Sequence, residues 1–207
     1  MLVKFDHLTL VVNRKDAQRT IEEFQELGYK LTLVNDNAVN IPTKMQFLKC
    51  KDTTHGLYFM DAPEGQGLPV EIIAYEHTTN EQNWVNYKPL ENTITVLSTD
   101  VEKCRQLFVA LGCDIEEGEI VFNGALDPAV YKIIASQEQN IVFNLDNEGF
   151  CCPTIFVKPG NKTKTKFEGQ GFECTEPEFF ETNGKSMYVF FVKGKSGELI
   201  EIVTNKL

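Results

Sequence analysis

The chain reads as an α+β protein assembled from repeated β-α-β-β-β units, and two observations carry that reading. An alternating strand followed by an amphipathic helix occurs over residues 5–28 and again over 92–112. Each pair is then followed by short runs rich in β-branched and aromatic residues, separated by Gly, Asp and Asn turns. A supersecondary unit met twice in one chain outweighs any local propensity, because it names the architecture as well as the elements. With 207 residues, 42% of them hydrophobic, the chain can fill one large domain or two small ones. Disorder, collagen and coiled coil are excluded. The balance of 20 Lys+Arg against 30 Asp+Glu, a net charge of -10, repels phosphate backbones and anionic lipid. The basic residues form no stripe beyond Lys162, Lys164 and Lys166. Neither nucleic acid nor a membrane is an expected partner. No apolar run approaches the ~20 residues of a membrane span, and the chain enters its first strand without a signal peptide. A soluble, cytoplasmic protein is expected.

Residues 5–12 alternate as a strand, and Asn13 caps a helix that carries Ala17, Ile21, Phe24 and Leu27 on one face until Gly28 stops it. Strands are expected at 29–34, 44–51, 57–61 and 69–76, with turns at 52–56 and 63–67. The first unit thus has one strand too many. The pattern restarts with a strand at 92–98, a capping box from Thr99 to Glu102, and a helix presenting Val101, Cys104, Phe108 and Leu111 before Gly112. Strands at 119–123, 130–135 and 140–145 complete it, with a turn at 124–128. A third unit opens with a strand at 154–157. The stretch 159–171 is too polar and too broken by Gly and Pro for a full amphipathic helix, and strands follow at 171–177, 186–192 and 198–203. The domain reading is a first module at 1–80, a linker at 81–91, a second module at 92–147 and a truncated third module at 150–207. Six cysteines without a C-x-x-C pair read as reduced, buried thiols.

These units resemble the βαβββ modules of the vicinal oxygen chelate superfamily, which includes glyoxalase I, extradiol dioxygenases and bleomycin-resistance proteins. Residues 5–12 resemble the family's first strand, with its metal-ligand histidine at His7. Residues 69–73 resemble its last strand, with the ligand carboxylate at Glu71. The tail 188–203, a strand, a Gly turn and a strand, is similar to the closing hairpin, with a second carboxylate at Glu201. The resemblance implies a glyoxalase-like fold of curved mixed sheets, the third unit lacking a full helix. It implies a metal set of His7, Glu71 and Glu201, with Glu201 also serving as catalytic base. The second module offers no ligands: its histidine position falls at Asn92 or Thr93, and its carboxylate position falls among Ile141, Val142 and Phe143. The third has Pro153 and Thr154 where a histidine would stand. The set therefore requires the third unit, rather than the second, to face the first. A unit left without a partner in the chain leaves homodimerisation open.

Strand parity agrees with such a site. His7, Thr9 and Val11 share one face of their strand, away from the helix, and Glu71, Ile73 and Tyr75 share one face of theirs. Each residue also has a plainer reading. His7 can be a hydrogen-bonded strand histidine, Glu71 can sit on a solvated face or against a cation, and Glu201 can belong to an exposed alternating face. His55 and His77 read as exposed turn and strand-end residues, not ligands. Thr9, Tyr58 and Tyr75 are candidates to orient substrate oxygens, although packing is the default role of an aromatic. Two functions follow. One is an enzyme using Fe, Mn, Ni or Zn on a small oxygen-rich or dicarbonyl substrate, as a lyase, isomerase or dioxygenase. The other is a metal-free protein that sequesters a small molecule, as bleomycin-resistance proteins do. The residues fit a divalent metal and no metal equally well. A third option is a structural or regulatory protein that keeps the fold without the site.

Overall fold

The structure is a computed structural model that describes residues 3–116, 119–123, 130–157, 163–182 and 185–205. The first module runs β1 (Val3–Asn13), α1 (Ala17–Glu26), β2 (Lys30–Val39), α2 (Pro42–Met45), β3 (Thr54–Asp61) and β4 (Val70–Tyr75). Asn13 caps a short 3-10 turn that leads into α1, accepting from the Lys15 amide at 3.3 Å. Gly28 ends the segment at φ 91°, in the left-handed region that glycine enters at low cost. The buried face of α1 carries Ala17, Ile21 and Phe24 and covers Leu10, Val70 and Ile72. His7, Thr9 and Val11 are left on the opposite face of β1.

One expected strand does not form. Over 44–51 the chain makes the single turn α2 and then a loop. Pro42 at the start of α2 has no amide to offer a ladder and presets a helical φ. The apolar residues that suggested a strand are satisfied by direct burial, Phe47 meeting Phe191 edge-on at 5.2 Å.

The second module begins early, because β5 (Val85–Tyr87) forms inside the expected linker and pairs with β6 (Thr93–Ser98). Then come α3 (Val101–Leu111), β7 (Asp114–Glu116), β8 (Glu119–Asn123) and β9 (Val130–Gln137). The cap of α3 is Asp100, not Thr99: its carboxylate accepts from the Lys103 amide at 3.2 Å and adds negative charge at the positive end of the helix. The strand expected at 140–145 is replaced by a connector, in which Val142 bridges to Asn83 and the Leu145 amide donates to Phe47 O. The expected turn at 124–128 lies outside the described residues.

The third module contains β10 (Gly149–Val157), α4 (Thr163–Gly169), β11 (Glu173–Cys174), β12 (Glu178–Thr182), β13 (Lys185–Lys193) and β14 (Leu199–Thr204). Its helix is present but only seven residues long, and β12 is an added strand that the sequence pattern did not separate from its neighbours.

The modules join through their first strands. β1 lies antiparallel to β10, and the order β2-β3-β4-β1-β10-β14-β13-β11, with β12 also on β13, makes one nine-stranded sheet of the first and third modules. The second module forms its own five-stranded sheet, β5-β6-β9-β8-β7. It packs on the large sheet through a shared core of Phe5, Leu8, Trp84, Phe108, Phe122, Phe190 and Ile202. The opposite face of the large sheet, bearing His7, is thereby left free to form a site. All six cysteines are free thiols, and among the described residues no helix is long and apolar enough to cross a membrane.

Candidate metal centre

Four neighbouring strands bring the site together. In the ladder His7 lies opposite Thr154, Thr154 opposite Glu201, and Thr9 opposite Glu71. The alternation of each strand then puts His7, Glu71 and Glu201 on one face of β4, β1 and β14. One ligand atom from each of the three lies within 4.8 Å of the others. His7 is held from both sides: its Nδ1 meets Asp6 Oδ2 at 3.0 Å, and its Nε2 stands 3.5 Å from Glu71 Oε2. Phe59 closes over the ring edge-on, with centroids 5.3 Å apart. The Thr154 hydroxyl, standing where the resemblance would put a second histidine, donates to Glu201 Oε2 at 3.1 Å.

The electrostatics of this cluster are set by burial and by mutual charge. Burial disfavours an imidazolium at His7, but the Glu71 and Asp6 carboxylates outweigh it and raise the pKa. Burial opposes ionisation of Glu71 as well, and the His7 charge outweighs it and lowers that pKa. Glu201 is pushed up by burial and by repulsion from Glu71. Two carboxylates thus crowd one buried imidazole whose Nε2 makes no hydrogen bond of acceptable geometry. An Asp on Nδ1, with Nε2 directed toward two acids, is how proteins commonly orient a histidine that binds a metal. The residues present therefore fit a divalent cation.

The centre opens into a cavity of about 350 Å³ whose apolar wall includes Leu33, Val39, Leu57, Phe59, Met187 and Val189. Two of its polar residues escape the sequence reading. Lys44, on α2, lines the cavity with its ammonium 6.0 Å from the centre of the Tyr75 ring. Burial alone would lower its pKa, yet Tyr75, Glu71 and Glu201 together raise it. His55, expected in an exposed turn, is buried on β3 with its ring 5.5 Å from that of Tyr75. Burial and the nearby Lys44 charge push its pKa down to about 3, so the ring is neutral. Parity could have found His55: it stands two and four residues before Leu57 and Phe59, both on the cavity wall. No comparable signal marks Lys44, which lies where a strand is expected.

The three residues expected to contact substrate do not line the cavity. Tyr58 is a correction: it pairs with Ile72 in the ladder, so it faces the α1 side, and its hydroxyl donates to Asp36 Oδ1 at 2.8 Å. Tyr75 is fully buried beneath Lys44 and His55, and its hydroxyl donates to Asn40 Oδ1 at 3.4 Å; burial raises its pKa to about 12. Thr9 is buried between Glu71 and Cys152 in the ladder. The last two support the wall from behind.

Comparison with known proteins shows no family relationship. No family model and no curated protein matches the sequence. Among solved structures the chain is similar to methylmalonyl-CoA epimerase from Mycobacterium tuberculosis at 14% identity and a TM-score of 0.47, covering 98% of this chain and 89% of that one. It is similar to a hypothetical protein from Bacillus halodurans at 15% identity and a TM-score of 0.46, covering 99% and 95%. It is also similar to glyoxalase I from Zea mays at 13% identity and a TM-score of 0.39, covering 99% and 69%. By its own strand order, with the βαβββ unit repeated and two units joined into a curved mixed sheet, the chain has a glyoxalase-like fold.

Proposed function

We propose that the protein is a divalent-metal-dependent enzyme that chelates neighbouring oxygens of a small substrate, with His7, Glu71 and Glu201 holding the ion. The observation that carries this reading is the buried His7 Nε2, left without a hydrogen bond between two carboxylates while Asp6 occupies Nδ1. One imidazole and two carboxylates suit Fe, Mn, Ni or Zn and leave positions open. When bound, such an ion supplies Lewis-acid polarisation of the oxygens it touches.

The chain's own residues do the rest. Asp6 fixes the imidazole in one tautomer with Nε2 toward the cavity. Glu201, at the cavity wall and hydrogen-bonded by Thr154, would take a proton from a carbon beside a substrate carbonyl and return it. Proton transfer of this kind favours lyase or isomerase chemistry over oxygen insertion. The wall of Leu33, Leu57, Phe59 and Val189 keeps water from the exchanged proton.

Lys44 supports the second reading, a metal-free binder, because an ammonium in the same cavity can compensate the two acids without a metal. Elemental analysis separates the two. The wild-type chain, purified without chelator, is expected to hold about one ion per molecule and His7→Ala to hold none. Wild-type protein that takes up no Mn, Fe, Ni or Zn from millimolar solution contradicts the enzyme reading.

A further inference from the structure

Among the described residues Lys44 is the one lysine or arginine that lines the cavity, and it comes from outside the strand ladder that builds the centre. Its neighbour Thr43 fixes it there. The Thr43 amide donates to Glu178 Oε1 at 2.8 Å, the Thr43 hydroxyl donates to the same oxygen at 2.6 Å, and α2 is thus tied to β12 of the third module. The ammonium is near enough to Glu71 and Glu201 for their charges to act on it, yet among the described residues it forms no ion pair within 4.0 Å. A gap separates cation and carboxylates.

This placement has a consequence once Glu71 and Glu201 are engaged by a divalent ion. Their charge is then spent on the metal, and Asp6 is spent on His7 Nδ1. With the ion and the two carboxylates neutralising one another, the ammonium is left without a counter-charge within 4.0 Å in a small, mostly apolar space, where an unpaired charge is costly. An occupant that carries negative charge beside it removes that penalty. A neutral dicarbonyl or diol does not.

We propose that Lys44 is a substrate-binding residue and that the site takes a 2-oxo or 2-hydroxy carboxylate, whose acid group lies between the metal and the Lys44 ammonium. The proposal rests on the metal-dependent reading above. It narrows the substrate from any pair of vicinal oxygens to a pair of which one belongs to a carboxylate.

Two small probes separate the ideas. Pyruvate and hydroxyacetone each present two neighbouring oxygens, but only pyruvate is an anion. Both are titrated calorimetrically into the Mn²⁺-loaded full chain, for the wild type, Lys44→Met and Lys44→Arg, with Mn²⁺ content measured on each sample. The wild type is expected to bind pyruvate more tightly than hydroxyacetone. Lys44→Met is expected to keep its Mn²⁺ and lose about 30-fold or more in pyruvate affinity, the size expected for a charge-assisted hydrogen bond. Hydroxyacetone affinity should stay within about twofold, and Lys44→Arg should recover most of the pyruvate binding. Mn²⁺ retained by all three with pyruvate affinity unchanged in Lys44→Met overturns the role of Lys44 and leaves the metal reading standing. Equal losses for both probes overturn it too, since they signal a structural role. Failure of the wild type to retain Mn²⁺ overturns the metal reading and this inference with it.

Discussion

His7 matters less for being a histidine than for how its two nitrogens are used. Asp6 takes Nδ1 and leaves Nε2 for the cavity, so Asp6→Asn should preserve the fold while weakening metal binding by 10- to 100-fold, the usual effect of removing such a partner. Competition with a fluorescent chelator measures it, and an unchanged affinity would mean that Asp6 does not orient the ring. His55 makes the opposite bargain. Its folded pKa is depressed to about 3 by burial and by Lys44, so its contribution to stability is present above the unfolded value of ~6.5 and is lost as pH falls below it. Between pH 6.5 and 5 the wild type should lose about 2 kcal/mol that His55→Gln does not lose, read by urea unfolding at each pH. Of these residues, His7, Glu71 and Glu201 were singled out in the sequence by resemblance, and strand parity supported only the first two. Lys44 was not, because nothing local reveals that a lysine after Pro42 lines a cavity that two distant modules enclose.

At the scale of elements, alternation was a good guide wherever one face of a strand meets a helix, as in β1 and β4, and a poor one where apolar residues are buried by loops. Residues 44–51 and 140–145 are apolar enough for strands, yet Phe47 packs on Phe191 and the Leu145 amide bonds to Phe47 O. Both segments serve as connectors that cover the large sheet, so burial rather than pairing satisfies them. Parity also decides against Tyr58, which shares its strand with Phe59 but faces the other way. Tyr58→Phe should therefore leave metal and pyruvate affinities within about twofold of the wild type. A larger loss in either would place Tyr58 in the site after all.

For the whole molecule, the decisive step is which modules pair. The sequence implied that the third unit must face the first if the ligands are to meet, and the β1–β10 ladder does this. The second module is held on the far side by the apolar core and by a buried contact in which the Ser98 hydroxyl donates to Glu198 Oε1 at 2.5 Å, Glu198 being wholly buried. Ser98→Ala leaves that carboxylate short of a partner and should cost about 1–3 kcal/mol in urea unfolding. A cost near zero would mean that the apolar core alone docks the module. No sequence pattern foretells this contact, since its partners stand a hundred residues apart.

The most direct test of the account is an anomalous difference map from crystals soaked in Mn²⁺. The account predicts one strong peak bounded by His7 Nε2 and the carboxylates of Glu71 and Glu201. A map with its strongest peak elsewhere, or with none at that place under saturating Mn²⁺, would contradict it.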